Sequence, residues 1–156
     1  MPGPALVAAW YALDTLAVER VPMWAARWLA AGHDGPALAE MAGLSGRDPR
    51  EVRDLLPVAL ADTGVHVPAP DVAEVAVIFY DLARLCLSGR ARERWVVQKV
   101  AEVAENCRYD EDLLQSPVGR LWALDDAWRS DSGRHPGELA GEVRSACAQQ
   151  LSTQLL

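Results

Sequence analysis

VAEVAVIFYDLARLCL, residues Val72 to Leu87, is the stretch on which the fold turns, because it can be read as a helix or as a buried strand. Val75, Val77, Ile78, Phe79 and Tyr80 form a β-branched and aromatic cluster of the kind a sheet accommodates well. Length argues the other way, since an apolar run of about 16 residues is far longer than an ordinary strand. Asp81 and Arg84 also stand at i,i+3, neighbours on a helix surface. A helix apolar on nearly all sides belongs at the centre of a fold. The expectation is therefore an all-α protein, an orthogonal or irregular bundle of seven to eight helices around the central apolar helix 72–87.

Working outward, VHVPAP at residues 65–70 carries two prolines that forbid helix. It is the natural seam if the single expected domain, residues 1–156, has two halves. Upstream, Pro4 opens a helix expected to run to about Val18, with Leu6, Trp10, Leu13 and Ala17 at helical spacing. Pro22 opens a second, with Trp24 and Trp28 one turn apart on a core face, ended by Gly32. Gly35-Pro36 starts a short helix to Ala42. Asp48-Pro49-Arg50-Glu51 is an N-cap with proline at the first helical position, and that helix reaches about Thr63. Pro57 lies inside it and is expected to kink or split it near Leu56.

Downstream, Arg92 to Cys107 reads as an amphipathic helix with Trp95, Val96, Val100, Val103 and Ala104 inward. Tyr109 to Gln115 is a short acidic turn or helix, and Pro117 starts an element carrying Leu121, Trp122, Leu124 and Trp128. Ser130 to Gly133 reads as a loop. Pro136 begins a last helix through Leu139, Val143, Cys147 and Leu151, with a frayed tail expected at Ser152 to Leu156.

The formal charge is −7, with five basic against eight acidic residues in 1–70 and ten against fourteen in 71–156. Neither half is a basic module, so any electropositive face for nucleic acid has to be local. Cys86, Cys107 and Cys147 are odd in number and sit in apolar helical contexts, which reads as reduced buried thiols. The amino-terminal segment has no basic start and meets Asp14 too early for a secretory signal or a membrane span, so a cytoplasmic protein is expected.

Motifs that carry chemistry are missing. HExxH, CxxC, GxSxG and glycine-rich phosphate loops do not occur, and His33, His66 and His135 fall in separate segments. His33-Asp34 reads as part of a helix-ending turn. Asp110 to Asp112, and Asp125-Asp126, read as solvated acidic faces rather than a Mg²⁺ site. No catalytic residue, metal site or cofactor is therefore expected. A pocket lined by Trp24, Trp28 and Trp95 is the remaining enzymatic possibility. Arg90, Arg92 and Arg94 form the densest basic cluster; at helical spacing only Arg90 and Arg94 point together. Positive charge at a helix start opposes the macrodipole, so the cluster either serves an outside partner or pairs with Asp110–Asp112 or Glu93.

Leu38 to Ser45, LAEMAGLS, resembles the first helix and turn of helix-turn-helix regulators, in which small residues allow close helix approach. That resemblance implies DNA contacts from Arg47, Arg50 and Arg53. The chain departs from the pattern where Gly46-Arg47 lengthens the turn and where Asp48, Glu51 and Asp54 alternate with the arginines. Residues 26–60 are also similar to small helical proteins of high-GC bacteria that carry no assigned chemistry. Proteins of that type include immunity, antitoxin and accessory partners. The expected role is thus a non-enzymatic interaction protein with an unidentified protein partner, a basic one given the chain's acidity. DNA binding through residues 38–60 is the alternative, and homodimerisation fits either role.

Overall fold

A computed structural model of the chain describes residues 1–130 and 133–154. Among them are nine α-helices and no strand: α1 (Pro4–Ala12), α2 (Val21–Ala30), α3 (Pro36–Gly43), α4 (Pro49–Asp62), α5 (Pro70–Leu87), α6 (Glu93–Asn106), α7 (Glu111–Leu114), α8 (Leu124–Arg129) and α9 (Pro136–Gln154). The all-α expectation holds, and Val72–Leu87 is helical throughout. Two 3₁₀ turns, Val18–Arg20 and Gly119–Ala123, fill corners. The chain divides into two compact units, residues 1–74 with Gln154, and Val75–Thr153. The boundary falls inside the start of α5, just beyond the 65–70 connector.

The first unit is built from α1 to α4, with α2 against α3 and α3 against α4. Val7, Val21, Trp24, Trp28, Leu38, Met41, Val52, Leu56 and Leu60 make its core. Helix starts follow local chemistry, since Asp48 accepts the Arg50 and Glu51 amides at 3.0 and 3.4 Å. α3 borrows its cap from a distance. Asp62, at the end of α4, accepts the amides of Ala37 and Leu38 at 2.8 and 3.0 Å. A Cβ at Gly35 would run into that same carboxylate, so the entry to α3 needs glycine.

Two expectations fail here, each because of a tertiary contact. α1 stops at Ala12 rather than near Val18, where Asp14 takes φ 55° and pairs with Arg53 at 2.9 Å. α4 runs continuously across Pro57. Proline removes the amide that would bond the Arg53 carbonyl, and the Tyr11 hydroxyl donates to that carbonyl at 3.4 Å instead. Tyr11→Phe should therefore cost about 0.5–1 kcal/mol in urea unfolding. The cost should vanish in a Pro57→Ala background, where an amide returns to Arg53; an equal cost in both backgrounds would rule the relay out.

The second unit has its own core of Phe79, Leu82, Ala83, Cys86, Val96, Val97, Val100, Leu114, Val118, Leu121, Val143 and Cys147. α5 supplies its apolar face here, while the first core is made without it. α6 packs against the 119–123 turn and α8. Gln150 is buried and accepts the Val118 amide at 3.1 Å, fixing the turn to α9. The frayed tail expected from Ser152 is helical through Gln154, whose carbonyl accepts the Gly3 amide at 2.9 Å. Residues 155 and 156, and residues 131 and 132 of the expected Ser130–Gly133 loop, lie outside the described residues.

Candidate functional site

Six arginines stood out in the sequence, and the structure treats the two groups differently. Around α4, Arg47 and Arg50 are exposed and Arg53 is held in its pair with Asp14. A shallow recess of about 510 Å³ is lined by Asp48, Pro49, Arg50, Arg53 and Asp54. Its wall sets two carboxylates, Asp48 and Asp54, against two guanidinium groups, Arg50 and Arg53. The loop before it is shaped by packing: the Ser45 hydroxyl accepts the Arg47 amide at 3.3 Å. A Cβ on Gly46, which has φ 74°, would lie 2.8 Å from the Glu19 carbonyl. These are the contacts of a helical hairpin seated on its own unit.

The second group lies at the start of α6. Arg90 sits in the bend after α5, Arg92 is the N-cap residue and Arg94 is in the first turn. Because Arg90 precedes the helix, helical spacing does not govern it. Arg90 shares a groove with Arg92, whereas Arg94 is exposed outside that lining. The groove has two adjoining lobes. One of about 590 Å³ is lined by Asp81, Arg84, Leu85, Leu87, Ser88, Arg90 and Leu151. The other, about 290 Å³, is lined by Leu85, Arg90, Ala91, Arg92 and Trp95. Leu85 and Arg90 belong to both.

The groove lining is net positive, with Arg84, Arg90 and Arg92 against one carboxylate, Asp81. Among the described residues, neither Arg90, Arg92 nor Arg94 has an ion-pair partner. Glu93, the nearest carboxylate in sequence, is taken by Arg144 at 2.8 Å. Asp110 to Asp112 lie beyond the far end of α6. The arginines also oppose the α6 dipole, so they gain nothing locally. Trp95, expected inward, is 40% exposed, and Val97 takes the buried place beside Val96. Lys99 lies over the Trp95 ring at 5.5 Å, and Arg84 over Tyr80 at 5.5 Å. Arg84, Leu85 and Leu87 were missed as site residues. Their signal was an apolar helix face that runs on into the Ser88-Gly89 turn, where nothing covers it locally.

Other candidates resolve into structure. The His135 ring nitrogen Nδ1 accepts the Gly137 amide at 3.0 Å at the start of α9, and His66 is exposed. Asp125 pairs with Arg129 at 3.3 Å. Among the described residues no three His, Cys, Asp or Glu side chains gather as metal ligands. No described helix is long and apolar enough to cross a membrane. Trp24 and Trp28 are buried in the core of the first unit, and Trp95 is 40% exposed on the second.

Cys86 and Cys147 are buried and free, with Cys107 half-buried. Cys86 on α5 and Cys147 on α9 hydrogen-bond to each other, and burial pushes both thiols up, Cys147 to about 12. Thiols held in the protonated form are poor nucleophiles. Comparison of the chain with family models, curated proteins and solved structures finds no match.

Proposed function

We propose that this chain is a non-enzymatic cytoplasmic interaction protein of the immunity, antitoxin or accessory type, and that it docks a protein partner in the groove between the end of α5 and the start of α6. The observation that carries this is the set of unpaired arginines around the exposed Trp95, over a floor of Leu85, Leu87 and Leu151. Tryptophan and arginine are the residues most enriched at energetic centres of interfaces. The acidity of the whole chain favours a basic partner at long range, but screening limits that field to about 8 Å. Within contact distance the groove is positive, so the docking segment is acidic and carries an apolar side chain for the leucine floor.

DNA binding through α4 has less behind it. Arg53 is engaged by Asp14, and Asp48, Glu51 and Asp54 repel the phosphates that Arg47 and Arg50 would meet. Fluorescence anisotropy separates the two roles. A labelled peptide of alternating glutamate and leucine should bind, its lysine counterpart should not, and Arg90→Glu/Arg92→Glu should weaken binding by about tenfold or more. Random duplex DNA that binds more tightly than the acidic peptide, and is lost on Arg50→Ala, would replace this role with the regulator.

A further inference from the structure

The groove has an electrostatic complement at the other end of α6. Asp110, Glu111 and Asp112 are exposed, and among the described residues none enters an ion pair. Beside them Tyr109 is 50% exposed and packs edge-on against Trp122, with ring centroids 5.0 Å apart at 63°. Arg108 and Tyr109 both hold positive φ, 53° and 58°, a strained turn for residues other than glycine. The result is a protruding, aromatic, net-negative knuckle, with Arg108 the one positive side chain against three carboxylates in residues 108–112. α6 has 14 residues. It therefore holds groove and knuckle about 20 Å apart, more than two screening lengths, and one copy cannot neutralise itself.

We infer that the groove takes the Tyr109–Asp112 knuckle of a second copy of this chain. This rests on the groove being a protein-docking site, as proposed above, and names its occupant. Arg90 and Arg92 meet Glu111 and Asp112 of the second copy, while Tyr109 lies against Trp95 and the leucine floor. The α6 helices then line up head to tail, positive end to negative end, so their dipoles add favourably. Such a contact is heterologous: every copy keeps one groove and one knuckle free, and association continues past the dimer as concentration rises. The charge of −7 on each copy opposes it and keeps it reversible.

Sedimentation velocity on the full chain, from about 10 μM to about 1 mM, tests this. Wild type should show concentration-dependent growth in mass. Arg90→Glu/Arg92→Glu and Glu111→Lys/Asp112→Lys should each lose it, a weakening of about tenfold or more, with unchanged circular dichroism because all four side chains lie on the surface. Asp110 is left intact since it accepts the Asp112 amide at 2.9 Å and caps α7. The two variants mixed in equal amounts should regain concentration-dependent growth in mass, since the native knuckle of one meets the native groove of the other and the reversed groove meets the reversed knuckle with opposite charge. A wild type that stays monomeric, a dimer that survives both reversals, or a mixture that stays monomeric overturns the inference. If wild type is monomeric while the glutamate-leucine peptide still binds the groove, the second copy is the wrong occupant and the docking role stands.

Discussion

Trp28→Ala should lower the unfolding free energy by about 3–5 kcal/mol, the range for truncating a large buried aromatic, and no other single core truncation in the first unit should cost more. Trp28 is 0% exposed and is the largest fully buried side chain among the described residues. Its indole Nε1–H donates to the Pro2 carbonyl at 3.0 Å, which ties the start of the chain to α2. The alanine leaves a cavity between α1, α2, α3 and α4 and an unpaired carbonyl. Against a typical domain stability of about 5–15 kcal/mol, that loss is a large fraction. Trp28→Phe should recover most of it, retaining about 1–2 kcal/mol of cost from the missing hydrogen bond and the smaller ring. Trp95→Ala is the contrast, expected within about 0.5 kcal/mol because the ring is on the surface. Urea unfolding followed by circular dichroism measures all three; equal costs for Trp28→Ala and Trp95→Ala would mean that burial is assigned wrongly.

The contrast between these two tryptophans shows where sequence reading reaches and where it stops. Features set within one turn of helix were legible. Asp48-Pro49 starts α4 because a carboxylate and a proline solve the helix-start problem wherever they occur. Val72–Leu87 is helical because its length outweighs its β-branched content. Features set by a partner distant in sequence were not. On α6, Val96, Val100 and Ala104 define the buried stripe, and both shoulders, Trp95 and Val97, are apolar. Periodicity alone cannot choose between them; packing within the second unit buries Val97 and leaves Trp95 beside the groove. Asp14 and Arg53, 39 positions apart, end α1 early, and Tyr11 replaces the hydrogen bond that Pro57 removes. The arginine cluster was visible as composition. Its geometry was not, because Arg90 belongs to a bend whose direction depends on how α5 ends.

Raising the pH above about 9 should destabilise the second unit through Cys147. Its thiol titrates near 9.0 in an unfolded chain and is pushed to about 12 in the fold, by burial first and then by the proximity of Cys86 and its hydrogen bond. Cys86 is raised as well, again by burial, with Arg144 opposing and Glu93 reinforcing. The sign follows from proton counting. Below pH 9 both folded and unfolded states keep the Cys147 proton, and stability does not depend on it. Between pH 9 and 12 the unfolded state gives the proton up while the folded state retains it, so stability falls with each unit of pH by about 1.4 kcal/mol. By pH 10.5 the loss from this thiol is about 2 kcal/mol. Wild type is compared with Cys147→Ala by urea unfolding from about pH 8 to about 10.5, so that every other group is common to both proteins. The alanine variant should be the less stable at pH 8, having lost packing in the α5–α9 contact, and its curve should fall less steeply until the two converge. Parallel curves across that range would mean that Cys147 is not held in the interior as the α5–α9 packing places it.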